Sequence, residues 1–148
     1  MGKPKQRGGC LSMRKPDPEE LISRAREAAG NSYSPYSLFP VGAALVCPDG
    51  IVITGANVEN RSYGLACCAE RSAIFAAVSQ GKREFQAIAV CCPKSDVPVS
   101  PCGACRQVLG EFCPPDMPVY FAGKGSDYIT ASVGELLPHD SLHNLKKA

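Results

Sequence analysis

Residues 41–57 read VGAALVCPDGIVITGAN, two short apolar runs joined by Pro48-Asp49-Gly50. Runs of this length around a Pro-Asp-Gly turn predict a β-hairpin with strands over 41–47 and 51–57. Downstream of it the pattern alternates. Ala69, Ala73, Ile74, Ala77 and Val78 fall at helical spacing and predict a helix over 67–80, stopped by Gly81. Residues 86–92 form a continuous apolar run, the signature of a strand buried on both faces. Pro101 opens a helix that reaches Phe112, where Pro114-Pro115 forbid its continuation. Strands are expected over 118–122 and 128–132, with a turn at 123–127 and one helical turn at 133–137. Upstream of the hairpin, Asp17 suits an N-cap, Pro18 the first turn, and Glu19 and Glu20 the positive helix end. Leu21, Ile22, Ala25, Ala28 and Ala29 continue that helix to Gly30-Asn31, and 31–40 reads as a loop. A hairpin followed by alternating helices and strands predicts an α/β fold, a mixed β-sheet sandwiched between α-helices.

The chain has 148 residues, enough for one domain with a real hydrophobic core. With 45% apolar and 20% charged residues, it falls outside the range of disordered chains. No apolar run is long enough to span a membrane, and no secretory segment is expected at the N-terminus. Residues 1–16 carry Lys3, Lys5, Arg7, Arg14 and Lys15 with no acid, and read as a solvated, flexible basic arm before a domain over 17–148. Removing the arm's five positive charges takes the net charge from +2 to −3. The folded part therefore has no basic excess for a phosphate backbone, and no stable nucleic-acid partner is expected. The unusual count is nine cysteines, an odd number, with no Trp. A chain of this size does not depend on disulfide staples, so buried thiols and metal ligands in a cytoplasmic protein are the expectation.

Three features carry chemistry. Pro101-Cys102-Gly103-Ala104-Cys105 puts two thiols three residues apart at a helix start, where free N–H groups and the positive helix end stabilise thiolate. Alone, this spacing fits a metal site and a redox pair equally. Cys67-Cys68-Ala69-Glu70-Arg71 sits at another predicted helix start, where a thiolate and a carboxylate two residues apart can both project over the end. Alone, Glu70 reads as a favourable first-turn acid. The third feature is a shortfall. A structural zinc site wants four protein ligands, whereas Cys68, Cys102 and Cys105 make three, and the two histidines, His139 and His143, lie in the C-terminal segment. Three ligands and one open position form the catalytic arrangement, with water in the open position and Glu70 placed to take its proton.

These residues resemble the cytidine deaminases, specifically the small free-nucleoside type. The likeness is carried by Cys68-Ala69-Glu70-Arg71 and Ser100-Pro101-Cys102-Gly103-Ala104-Cys105-Arg106-Gln107. It extends through Pro35-Tyr36-Ser37, Phe39, Val41-Gly42-Ala43-Ala44, Asn57-Val58-Glu59-Asn60 and Glu135-Leu136-Leu137-Pro138. The resemblance implies a cytidine-deaminase-like fold and one Zn²⁺ per subunit on Cys68, Cys102 and Cys105. Its implied reaction is hydrolytic deamination of cytidine and 2′-deoxycytidine to uridine and 2′-deoxyuridine in pyrimidine salvage. In that chemistry a zinc-activated hydroxide attacks C4 and Glu70 is the proton shuttle. Three thiolates leave the site more negative than histidines would, so Arg71 is expected to hydrogen-bond a ligand sulfur and withdraw charge.

The resemblance further implies substrate contacts: the Ala69 N–H to the pyrimidine O2, the Ser100 carbonyl to the amino group, and Asn57 and Glu59 to the ribose 3′-hydroxyl. Phe39 resembles an aromatic packed on the base, and Tyr63 a tyrosine reaching a neighbouring subunit of a homotetramer. On the residues alone, Phe39 reads equally as core, Asn57 as a strand-end turn residue, Glu59 as a loop acid and Arg71 as a solvated helix residue. After Leu137-Pro138 the family places an aromatic; here the segment reads His139-Asp140-Ser141-Leu142-His143, with no ring near Ser141 except the two imidazoles. Cys67 abuts Cys68 and competes with it as a ligand, but the Cys-Ala-Glu spacing favours Cys68. Two rivals are a blasticidin S deaminase, against which Glu59 argues, and a non-enzymatic zinc module in which Glu70 is structural.

Overall fold

The structure is a computed structural model and describes residues 16–145. The basic arm expected at 1–16 lies, Pro16 apart, outside the described residues. Helix α1 spans Pro18–Ala28, and the Asp17 carboxylate caps it by accepting from the Glu19 N–H at 3.1 Å. Five strands follow among the helices: β1 (Gly42–Val46), β2 (Val52–Ala56), β3 (Ala87–Cys91), β4 (Pro118–Ala122) and β5 (Tyr128–Ser132). Helix α2 is Ala69–Ser79, α3 is Gly103–Phe112 and the short α4 is Val133–Leu136. The strand order is β2-β1-β3-β4-β5. Only the β3–β4 pair is parallel, and α3 is the crossover that a parallel pair requires.

Alternation along the strands divides the core between the two sheet faces. Ala43, Leu45, Ile53, Ile88, Val90, Val119 and Phe121 cluster with Ala69, Ala73, Ile74 and Ala77 of α2 and Leu109 of α3. Ala44, Val46, Ala87, Ala89, Cys91, Tyr120 and Ala122 cluster with Leu21, Ile22 and Ala25 of α1. The sheet is therefore sandwiched between helices, as expected. The apposition is close enough that a Cβ on Gly55 of β2 would stand 2.5 Å from Ala73 N and 2.6 Å from Ala69 O. Glycine is required there, and it seats the first turn of α2 directly against the sheet.

Both chemistry-bearing helices begin later than their spacing predicts, α2 at Ala69 rather than residue 67 and α3 at Gly103 rather than Pro101. Cys68 and Cys102 are instead the N-caps, in extended conformation at φ −72°, ψ 157° and φ −68°, ψ 169°. The preceding backbone explains the delay at α2. Cys67 and Val58 exchange N–H···O bonds of 2.9 Å each, a bridge that holds Cys67 extended. On the other side of the same extended segment, Tyr33 N donates to Asn57 O at 3.0 Å and Glu59 N to Tyr33 O at 2.8 Å. Residues 57–60 are thereby pinned beside the start of α2.

Candidate metal centre and active site

The Cys68, Cys102 and Cys105 sulfurs all lie within 4.8 Å of one another. Cys68 Sγ is 3.6 Å from Cys102 Sγ, which is 3.5 Å from Cys105 Sγ. A tetrahedral zinc with Zn–S bonds of about 2.3 Å sets its sulfurs about 3.8 Å apart, so the donor set fits that ion in type and spacing. Cys67 stays outside the cluster. Its thiol faces the Cys68 carbonyl at 3.6 Å and accepts from Ser72 Oγ at 3.7 Å, so Cys68 is the one of the adjacent pair that groups with Cys102 and Cys105. His139 and His143 are exposed and stand apart from the three thiols. All eight cysteines among the described residues are free.

Electrostatics favour negative charge on the Cys68 sulfur. Neither cysteine N-cap makes a side-chain capping bond, so the first N–H groups of α2 and α3 are left without a side-chain cap, and both sulfurs sit at the positive end of a helix. Arg71 Nη2 donates to Cys68 Sγ at 3.4 Å. A hydrogen bond from the Cys105 thiol, together with Arg71, holds Cys68 well below the ordinary thiol range, against the opposing effect of burial. Cys105 is held up by that same bond, in which it is the donor, and by burial. The guanidinium is itself held more firmly protonated by Cys68. Its Nε is buried without a partner among the described residues, so the arginine accepts a desolvation cost to stay on the thiolate.

Glu70 is the one buried charged residue among the described residues, at 3% exposure. Burial pushes its carboxyl above the ordinary range, and negative charge on Cys68 adds to the effect. A buried carboxyl with its pKa raised, next to a cysteine held toward thiolate, is suited to passing protons back and forth. Ala69, at the first position of α2, is fully buried. Ser100 is exposed, two residues before the Cys102 cap.

The other expected substrate residues gather in the loops pinned beside α2. Asn57 proves to be heavily engaged: its Oδ1 accepts from Val41 N at 2.9 Å and from Ser32 Oγ, and its Nδ2 donates to Phe39 O at 2.9 Å. It therefore shapes the Phe39 loop and leaves one amide hydrogen without a partner among the described residues. In that loop Leu38 takes the left-handed conformation at φ 56°, an uncommon choice for leucine, and Phe39 is partly exposed. Glu59 Oε1 accepts from Tyr36 N and Ser37 N, each at 3.1 Å. Hydrogen bonds from Ser37, hydroxyl and backbone, and from Tyr36 hold this carboxyl below its ordinary range. Glu59, Tyr36, Ser37, Asn60 and Tyr63 line a pocket of about 310 Å³, in which the Tyr36 and Tyr63 rings meet edge to face at 6.1 Å. Tyr63 is 78% exposed. A cavity of about 1370 Å³ lies elsewhere, between α3 and the C-terminal segment, and His139, Ser141, Leu142 and His143 line it.

Comparison with known proteins bears on this centre directly. Residues 15–121 match the family model described as the cytidine and deoxycytidylate deaminase zinc-binding region. The chain belongs to that family. A cytidine deaminase of Sporosarcina psychrophila is 50% identical over 122 residues, covering 82% of this chain and 89% of the relative. One of Halalkalibacterium halodurans is 52% identical over the same length, covering 82% and 92%. The crystal structure of cytidine deaminase from Burkholderia pseudomallei aligns with a TM-score of 0.78 and 50% identity, over 80% of this chain and 94% of that one. The family is a zinc-binding one, and in this member the thiols able to hold the metal are Cys68, Cys102 and Cys105. Among the described residues no helix is long and apolar enough to cross a membrane.

Two positioning features escaped the sequence reading. One is the set of internal bonds made by Asn57, which only the loop path reveals. The other is Arg106, which reaches two acceptors in the loop before α3 and one at the end of α4, and carries no signal beyond its place in the Cys105-Arg106-Gln107 run.

Proposed function

We propose that this chain hydrolyses cytidine and 2′-deoxycytidine to uridine and 2′-deoxyuridine with release of ammonia, a reaction of pyrimidine salvage, in the cytoplasm. The observation that carries the reading is a buried carboxyl, Glu70, held above its ordinary pKa two residues from Cys68 of the three-thiol cluster. Cys68, Cys102 and Cys105 would hold the zinc. When bound, that ion supplies the Lewis acidity that makes a water acidic enough to serve as nucleophile near neutral pH.

The protein's own groups do the rest. Glu70 takes a proton from the attacking water and delivers it to N3 of the pyrimidine, making C4 electrophilic. It then carries a second proton to the departing amine. Arg71 draws charge from Cys68 and so offsets the electron donation of three thiolates. The Ala69 N–H, unpaired at its helix start, holds the pyrimidine O2, and the Ser100 carbonyl accepts from the exocyclic amine. Asn57 and Glu59 read the 3′-hydroxyl. A carboxylate at that position repels a phosphate placed there, which disfavours 3′-phosphorylated nucleosides and polynucleotides. Phe39 packs on the base. Tyr63 extends from the surface toward the site of a neighbouring subunit in a homotetramer. The chemistry belongs to the domain over 17–148, with the basic arm before it.

The test is loss of cytidine absorbance with zinc-loaded protein, repeated with Glu70→Ala. Turnover by the parent and none by the zinc-retaining variant supports the reading. An inactive parent, or an active variant, contradicts it.

A further inference from the structure

Arg106 sits on α3 immediately after Cys105, half-buried, and its planar guanidinium is spread over three acceptors from two separate parts of the chain. Its Nε donates to the Pro101 carbonyl at 2.8 Å and its Nη2 to the Ser100 hydroxyl at 3.2 Å. Its Nη1 donates to the Leu136 carbonyl at 3.1 Å, at the C-terminal end of α4. The cation thus ties the loop that delivers Ser100 and Cys102 to the element that begins the C-terminal segment. Gln107 makes a parallel tie one residue on, with its Nε2 3.3 Å from Asp140 Oδ1.

The loop needs such a tie. Ser100 is exposed, and Cys102 is an N-cap whose side chain makes no capping bond to its own helix. Without an external anchor, the direction of the Ser100 and Pro101 carbonyls rests on backbone torsions alone. A guanidinium can fix both the carbonyl of Pro101 and the hydroxyl of Ser100 because its donors lie in one rigid plane. The Leu136 carbonyl is one of the unpaired acceptors at a helix end, where a cation is also favoured.

We propose that Arg106 is a positioning residue for the deamination reaction: it sets the orientation of the Ser100–Cys102 loop and couples that orientation to α4 and the C-terminal segment. This rests on the cytidine-deaminating function proposed above, in which the Ser100 carbonyl orients the amine. C-terminal contacts, including those made on assembly, then reach the cysteine loop through one side chain.

The experiment uses the full zinc-loaded chain as wild type, Arg106→Gln, Arg106→Lys and, as a control, Arg83→Gln. Arg83 donates to the Val78 and Lys82 carbonyls at the end of α2 and has no part in the site. With cytidine as substrate, R106Q is expected to lose about 10-fold to 100-fold in kcat/KM, mostly in kcat, while keeping its zinc. R106K, which keeps the charge but not the fork, is expected to fall in between and carries the comparison should R106Q not fold. R83Q is expected to turn over like wild type. Hydrogen exchange is the second readout: R106Q is expected to speed exchange in peptides covering both 99–105 and 133–138, and R83Q in neither. Wild-type kcat/KM in a folded R106Q protein, or accelerated exchange in neither segment, overturns the proposal. If wild type itself leaves cytidine untouched, the function proposed above fails, and the exchange comparison alone then decides whether Arg106 couples the two segments.

Discussion

Glu70 and Arg71 are neighbours with opposite burdens, one a carboxyl kept from water and the other a cation kept on a sulfur. Glu70→Gln preserves shape while removing the titrating group. Turnover should fall by a factor on the order of 100 to 10,000 while zinc content stays at that of the parent, measured by metal analysis on the assayed sample. The raised pKa also has a sign in stability. Between the ordinary carboxylate value of 4.5 and its higher value in the fold, Glu70 keeps a proton that the unfolded chain has released. The metal-free protein should therefore lose stability as pH rises through that window, and the Gln variant should lack this slope in urea unfolding. Arg71→Gln removes the donor to Cys68. It should retain much of its zinc but lose about 10-fold or more in kcat, and unchanged kinetics would count against the charge-withdrawing role.

At the scale of elements, the start of α2 against β2 does most of the positioning. Gly55→Ala forces a methyl into the backbone of Ala69 and Ala73, so a loss of about 1–3 kcal/mol in stability is expected, with activity falling further as Glu70 shifts. The turn at Tyr36-Ser37 depends on a charged Glu59. Because that carboxyl is held below its ordinary range, its contribution is complete above that range and disappears as pH falls through the lower value. The KM for cytidine should rise with acidification, and Glu59→Gln should show a raised KM with no such dependence. Most of these elements were legible in the sequence, since Gly, Pro and apolar spacing report local backbone preference. The hairpin at 41–57, the helix capped by Asp17 and the strand at 87–91 each follow from residues within a few positions. The late starts of α2 and α3 were not legible. The bridge between Cys67 and Val58 is a tertiary contact across a loop, and no spacing rule contains it. The cysteine cluster was legible because metal chemistry restricts residue type and spacing together. The internal bonds of Asn57 and Arg106 were not, because amide and guanidinium groups pair with whatever backbone the fold brings near.

Over the whole molecule, two helix starts on one face of the sheet bring three thiols together, and a metal bound there links α2 to α3 across the core. Zinc that binds the native state alone stabilises it, so chelation should lower the melting temperature by about 5–15 °C, and added zinc should restore it. A homotetramer, the assembly expected from the family resemblance, predicts a sedimentation mass four times that of the subunit. The central claim is chemical, and one measurement addresses it: zinc-loaded protein is mixed with cytidine, and the loss of cytidine absorbance is followed together with ammonia release. Equal amounts of uridine and ammonia, formed catalytically and at a rate at least about 100-fold lower in Glu70→Gln, are the predicted result. Cytidine left intact by folded, zinc-loaded protein would contradict the account.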